Sequence, residues 1–283
     1  MKIEFISNLD TMMLKEFILS VGVSRAFARR VKLYGKMYIN DVEAKNYYMV
    51  NKGDKVTLEY DEKINEEINA IDNEIEILHE DNHLLVVNKP RNLASQPSRL
   101  HQFDNMISYV KSYFLKKGID TNIHLVNRLD YSTSGLLIIA KDGYTHHEMS
   151  KVDIERKYLA VVEGHLDKKT SEVKVKIDRL EPHNIKRWVM ESGKEAITLY
   201  KVIKEFSDSS LLDIEIKTGR THQIRVTFSY LNHPVLGDKL YGNGEDLMLH
   251  CYYLKFKDPF SEQVIEVKKL PNWEKYIEKS DDF

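Results

Sequence analysis

Asn127-Arg128-Leu129-Asp130-Tyr131-Ser132-Thr133-Ser134-Gly135-Leu136-Leu137-Ile138-Ile139-Ala140 is a polar, hydroxyl-rich loop that runs into an unbroken apolar stretch. The run at 136–140 follows a glycine and has no polar alternation, so it predicts a strand buried on both faces, a central one. Asp130 then lies at the mouth of a sheet. An aspartate in such a loop is most often an Asx-turn or cap residue. The functional alternative is a carboxylate fixed beside Arg128 by the neighbouring hydroxyls. Ser132 and Ser134 raise a serine-hydrolase reading, but the segment lacks the Gly-x-Ser-x-Gly elbow.

On either side of this stretch the chain alternates short strands with loops and helices. Residues 83–87 read as a strand ending at Asn88-Lys89-Pro90, and 158–162 as another. Leu212, Ile214 and Ile216 alternate in a further strand before Gly219, and 221–230 reads as a helix. There is no regular strand–helix alternation, so the pattern predicts an α+β domain on a mostly antiparallel or mixed sheet, not a doubly wound one. Two more segments can carry chemistry. In Arg156-Lys157-Tyr158-Leu159-Ala160, Tyr158 taken alone is more often a core residue than a catalytic one. In Thr218-Gly219-Arg220-Thr221-His222-Gln223-Ile224-Arg225, a glycine before a donor-rich helix start suits an anionic ligand. Surface arginines on a helix are the plainer reading.

Residues 1–60 read as a separate small module. Asp10 or Thr11 is expected to cap a first helix through Met13, Leu14, Phe17 and Ile18 that ends at Gly22. Ser24 is expected to cap a second helix, with Phe27 and Val31 inward and Gly35 at its end. A strand at Tyr38-Ile39, turns at Asn40-Asp41 and Gly53-Asp54, and alternation of Val56, Leu58 and Tyr60 complete it. Residues 61–74 are expected to be an acidic linker, and 75–283 the main domain.

The bulk composition narrows the function classes. The chain has 283 residues, 42% hydrophobic and 30% charged, as in ordinary soluble domains. It has no apolar run of membrane-spanning length and no secretory leader pattern, and its single cysteine, Cys251, cannot form an internal disulfide; a reducing cytoplasm is expected. The formal net charge of −2 hides an asymmetry: residues 61–80 carry −7 and the remainder +5. There is no His-Glu-x-x-His, no phosphate-loop motif and no Gly-x-Gly-x-x-Gly fingerprint, and adjacent His146 and His147 face apart on a helix. No metal site is expected.

Taken together and in order, the three chemistry-bearing segments resemble the RluA-type pseudouridine synthases. That family shows a His-Arg-Leu-Asp-x-x-Thr-Ser-Gly loop, a Lys-x-Tyr-x-Ala strand and a Gly-Arg-x-His-Gln-Ile-Arg helix start. Supporting likeness lies in 80–90, in Gly193-Lys194-Glu195-Ala196-Ile197-Thr198, in 233–242 and in Leu249-His250. Residues 1–60 are similar to the alpha-L RNA-binding module, through Ser24-Arg25, Gly35, Tyr38-Ile39-Asn40 and Gly53-Asp54. Three positions depart from the family pattern: Asn127 replaces a histidine, Asn92 a glycine and Thr227 a histidine.

The resemblance implies a pseudouridine synthase catalytic fold with an N-terminal RNA-binding module. It implies an isomerase of uridines in structured RNA, with large-subunit ribosomal RNA favoured and transfer RNA the alternative. The base leaves nitrogen 1 and rejoins through carbon 5 with no net gain of atoms, so no cofactor is expected. Asp130 is implied as the catalytic carboxylate, Arg225 as the basic group holding it with a two-pronged grip, and Tyr158 as the platform for the flipped base. Arg128 is expected to help extrude the base, with Lys89, Arg220 and the N-terminal module on the phosphate backbone. In that module Arg25, Arg29, Lys32 and Lys36 form a basic stripe. A monomer is expected. The rival reading is a noncatalytic RNA-binding or ribosome-assembly factor that keeps the fold.

Overall fold

The computed structural model describes residues 2–60, 68–119 and 121–277. They form two compact units, one up to Tyr60 together with Asp142–Tyr144, the other made of the remainder. Of the expected acidic linker, 61–67 lie outside the described residues. Among the described residues no helix is long and apolar enough to cross a membrane.

The N-terminal unit runs β1 (Lys2–Ile6), β2 (Met12–Met13), α1 (Leu14–Ser20), α2 (Arg25–Tyr34), β3 (Gly35–Ile39), β4 (Val42–Glu43), β5 (Met49–Val50) and β6 (Lys55–Tyr60). Its main sheet has the order β1-β6-β3-β4, all antiparallel. The two helices bury Leu14, Phe17, Ile18, Phe27 and Val31. The first helix does not start at an Asp10 or Thr11 cap. Met12–Met13 pairs with β5 instead, and the Glu16 carboxylate accepts the Met13 N–H at 3.4 Å. The second helix starts as expected, with Ser24 Oγ accepting the Phe27 N–H at 3.1 Å. Gly35 ends it for a different reason than a left-handed cap. Its backbone is extended, and a Cβ there would collide with the Glu59 carbonyl of the neighbouring strand β6. Asn40 and Asp41 both have positive φ, 51° and 64°, which closes β3 onto β4 as a tight hairpin.

The larger unit follows with β7 (Glu76–Glu80), β8 (Leu84–Lys89), α3 (Met106–Lys116), β9 (His124–Leu125), β10 (Ser134–Ala140), α4 (Gly143–Met149), β11 (Glu155–Glu163), β12 (Thr170–Asp178), β13 (Trp188–Val189), β14 (Lys194–Glu205), β15 (Ser209–Ile216), α5 (Gln223–Tyr230), β16 (Leu249–Lys257) and β17 (Val264–Lys268). The main path of its sheet is β13-β12-β14-β15-β11-β16-β10-β8-β7, with β17 beside β16 and β9 beside β10. Among the described strands only β10 and β16 run parallel, so the α+β, mostly antiparallel architecture holds. Strands β10, β11 and β16 are central, and Leu136 to Ala140 are wholly buried. Where β10 begins, Gly135 has φ 117° and a Cβ would strike the Cys251 carbonyl, so only glycine permits this closeness. The last helix starts at Gln223, two residues later than expected, because His222 before it is left-handed, with φ 58°.

Candidate active site

A cavity of about 780 Å³ opens at the ends of β10, β11 and β15, lined by the 125–133 loop, Arg156, Tyr158, the 219–225 segment and Leu249. The loop carrying Asp130 is pinned from outside itself. Ser95 Oγ donates to the Leu129 carbonyl at 2.7 Å, and Lys89 Nζ reaches the Tyr131 carbonyl at 3.4 Å. Thr133 N–H closes the turn on the Asp130 carbonyl at 3.1 Å. The Asp130 carboxylate therefore projects from a braced loop, with its side chain one-quarter (25%) exposed to the cavity.

Arg225 meets it there. Gln223 fixes the start of α5 by accepting the Arg220 N–H at 3.0 Å and donating to the Ile197 carbonyl at 3.0 Å. Arg225, in the first turn, is buried and gives Nη1 to Asp130 Oδ2 at 3.3 Å. Its two-pronged grip, expected on Asp130, is on Asp238 instead: Nε–Oδ2 and Nη2–Oδ1 are both 2.7 Å. A fork–fork pair fixes both planes, so the direction of Arg225 is set by Asp238 and not by the carboxylate it serves. Burial works to raise the Asp238 carboxyl, but the Arg225 bonds and the N–H groups of Leu240 and Tyr241 outweigh it and hold the carboxyl below its ordinary value.

Tyr158 lines the same cavity. A bulge between Lys157 and Tyr158, against β16, turns the strand locally at this residue and sets Tyr158 opposite Cys251. Burial, with Cys251 next, pushes its phenol well above the ordinary value, so the ring is neutral at working pH. Cys251 is fully enclosed, its thiol pushed up to about 12 by burial.

The remaining expected residues separate. Arg128 is exposed on the cavity rim and Arg220 half-exposed beside it, its Nε donating to the Glu195 carbonyl at 2.8 Å. Lys89, expected on the phosphate backbone, is instead completely enclosed, at 0% exposure, and has no surface to offer a phosphate. Its ammonium donates to the carbonyls of Pro90 (2.9 Å), Leu93 (2.8 Å) and Tyr131 (3.4 Å). Burial lowers it to about 7, opposed by the Asp130 charge. Arg25, Arg29 and Lys32 are exposed on α2, and Lys36 lies exposed on β3 beyond the helix.

Of the three departures from the family pattern, Asn127 and Asn92 have physical accounts, and nothing in the structure explains Thr227. Asn127 Oδ1 accepts the Ile138 N–H at 2.7 Å and Nδ2 donates to the Leu136 carbonyl at 3.2 Å, so it braces β10 and faces away from solvent. Asn92 is left-handed, φ 55°, where asparagine substitutes for glycine at least cost. Thr227 is fully buried within α5, its hydroxyl without a hydrogen-bond partner among the described residues.

Reading the sequence did not single out Asp238, His222 or Ser95 as parts of the site. Asp238 lies in Gly237-Asp238-Lys239-Leu240-Tyr241-Gly242, and the usable signal was a carboxylate just after the apolar Pro234-Val235-Leu236. His222 stands beside Arg225 in sequence, but its approach to Asp130, Nε2 to Oδ2 at 3.8 Å, depends on the left-handed turn.

A family model described as RNA pseudouridylate synthase matches residues 83–230. The chain is 32% identical to the Uncharacterized RNA pseudouridine synthase YjbO of Bacillus subtilis (strain 168), covering 89% of this chain and 93% of that protein. It is also 32% identical to the Ribosomal large subunit pseudouridine synthase D of Borreliella burgdorferi, covering 85% and 80%. Among solved structures, Human RNA Pseudouridylate Synthase Domain Containing 1 shares the fold at a TM-score of 0.57 and 24% identity, covering 70% of this chain and 84% of that one. With a braced carboxylate, a forked arginine and a buried tyrosine around one cavity, and with these relatives, the chain belongs to the RluA-type RNA pseudouridine synthases.

Proposed function

We propose that this synthase isomerises uridines in large-subunit ribosomal RNA, with Asp130 as the catalytic carboxylate. The observation that carries the residue assignment is the meeting of Asp130 and Arg225, 95 positions apart in sequence, in the lining of one cavity. The substrate reading rests on relatives whose names specify the large ribosomal subunit, at 32% and 30% identity; transfer RNA is the alternative.

The reaction breaks the bond from ribose carbon 1 to uracil nitrogen 1, joins the same ribose carbon to uracil carbon 5, and moves the proton from carbon 5 to nitrogen 1. The uridine must leave its stack, at a cost of a few kcal/mol, least for loops and bulges. In this reading the neutral Tyr158 ring holds the extruded uracil, and Arg128 on the rim occupies the space it leaves. Arg220 contacts the phosphate chain. Asp130 stands beside the sugar and acts on it, or on the base, in its charged form, with Arg225 fixing its direction. The N-terminal unit supplies further RNA affinity through Arg25, Arg29, Lys32 and Lys36. The enzyme works in the cytoplasm as a monomer.

Release of tritium from carbon-5-labelled uridine in ribosomal RNA fragments tests the assignment. Asp130→Asn, which keeps size and removes charge, is expected to abolish release while RNA affinity stays within about threefold. Turnover by the folded variant within tenfold of wild type would remove Asp130 from the chemistry. Pseudouridine mapping of ribosomal and transfer RNA from a deletion strain tests the substrate: the lost site is expected in large-subunit RNA, and a lost transfer-RNA site would move the substrate there.

A further inference from the structure

A second group approaches the Asp130 carboxylate. His222 Nε2 lies 3.8 Å from Asp130 Oδ2. The histidine occupies a left-handed backbone position, φ 58°, immediately before α5. That conformation is uncommon for a non-glycine residue, and such strain persists where the surroundings over-determine it. Here they do. The ring is nearly enclosed, with its side chain 10% exposed, and packs edge-on to Tyr241.

The ring's protonation follows from its hydrogen bonds. Tyr241 Oη lies 2.9 Å from His222 Nδ1 and accepts the Arg187 N–H at 2.7 Å. With its oxygen already accepting, the phenol directs its own proton to Nδ1. Burial holds that phenol protonated, pushed up to about 12. Nδ1 is then the acceptor, and the single ring proton of the neutral imidazole sits on Nε2, facing Asp130. Burial lowers the imidazole below its ordinary value, with Asp130 acting against this and Arg225 and Arg187 adding to it, so the neutral form prevails at working pH. A separation of 3.8 Å is longer than a hydrogen bond, and contacts of this kind tighten when substrate closes the site.

We infer that His222 is a positioning residue for the isomerisation, its Nε2–H directed at the Asp130 carboxylate by the relay from the Arg187 N–H through the Tyr241 hydroxyl. Arg225 and His222 approach the same oxygen, Oδ2, and so leave Oδ1 as the oxygen presented to the nucleotide. The inference rests on Asp130 being the catalytic carboxylate.

Two isosteric substitutions separate positioning from mere support of the turn. In His222→Gln the side-chain amide nitrogen falls where Nε2 was and keeps the donor to Asp130. In His222→Asn the side chain reaches only as far as Nδ1, keeps a partner for Tyr241, and tolerates the left-handed backbone well. Single-turnover rates on saturating RNA fragments are expected to fall at least tenfold in His222→Asn, with RNA affinity within threefold of wild type, and to recover to within about threefold of wild type in His222→Gln. A His222→Asn rate equal to wild type, or a His222→Gln rate no better than His222→Asn, overturns the inference. Nitrogen-15 spectra of the imidazole in the unmutated protein give a reading that needs no variant: a proton on Nε2 is expected, and a proton on Nδ1 overturns it. Asp130→Asn assayed alongside keeps the two ideas apart. If it turns over, the reading of Asp130 fails; if it is inactive while His222→Asn runs at the wild-type rate, only the role of His222 fails.

Discussion

Asp238 binds Arg225 through two nitrogens at 2.7 Å each, whereas Asp130 receives only Nη1, at 3.3 Å. The stronger pairing belongs to the residue farther from the cavity. Replacing Asp238 by Asn should therefore damage activity without touching the cavity lining: Arg225 loses its anchor and is free to turn its fork onto Asp130. A buried pair broken on one side costs about 3–5 kcal/mol, so a lower denaturant midpoint should accompany the loss of rate. The same carboxyl sets an acid limit. Its value in the folded protein is held below the ordinary one, so its contribution is complete above pH ~4 and is lost as pH falls through the folded value. Wild-type stability should drop steeply below about pH 4, and Asp238→Asn should show a shallower acid slope from a lower starting point. Parallel slopes would place the acid sensitivity in other carboxylates.

Lys89→Met should behave as a stability variant. It leaves the carbonyls of Pro90, Leu93 and Tyr131 without their donor, at about 1–3 kcal/mol for an unsatisfied buried group. The Asp130 loop loses one of its braces, so the rate should fall as well. RNA affinity should keep the wild-type dependence on salt. A slope shallower by about 0.7–0.9 would show that Lys89 does meet a phosphate.

Cys251 should be inert in the folded enzyme. It is wholly buried and its thiol is pushed up to about 12, and thiol reagents attack the thiolate. A disulfide reagent should modify it only as fast as the protein opens, with denaturant accelerating the reaction. Rapid stoichiometric labelling of native protein would contradict the enclosure.

The basic stripe of α2 can be read through salt. Arg25, Arg29 and Lys32 are exposed along it. Changing all three to Gln should weaken RNA binding most at low salt and flatten the slope of log affinity against log salt by about two units. The rate on saturating RNA should change little. An unchanged slope and affinity would leave the stripe as a solvated surface.

Local chemistry made the central elements readable. The unbroken apolar run of β10, the alternation of β15 and the Ser24 cap of α2 each carry their own signal, and each formed as expected. The strand β12 carries the period-two signal, Val173, Val175 and Ile177 alternating with Glu172, Lys174 and Lys176, which went unread, and β14 is marked in the sequence only by the family likeness at 193–198. The helix α3 also went unread, because Met106–Lys116 buries Ser108, Lys111 and Ser112 along with its apolar residues. At the site, Asp130, Tyr158 and Arg225 were named from ordered motifs, and the structure brings all three to one cavity. The pairing of Arg225 with Asp238 depends on how the chain turns back between them, and the enclosure of Lys89 on the loop that brings the Tyr131 carbonyl to it, so neither follows from a local pattern.

The place of β16 in the sheet has a consequence for how the enzyme is made. This strand lies between β10 and β11, although β12 through α5 are synthesised before it. Chains emerge from the ribosome N-terminal end first. Until residues 249–257 appear, β11 lacks its partner along Glu155–Ala160 and the start of β10, Ser134–Gly135, lacks the strand it closes against, so the segments bearing Asp130 and Tyr158 have no common support. Open apolar edges invite pairing with other chains, so the nascent protein is most vulnerable to aggregation during the synthesis of 164–248. Competence to modify RNA arrives late and all at once, when the final central strand docks and Gly135 closes against Cys251.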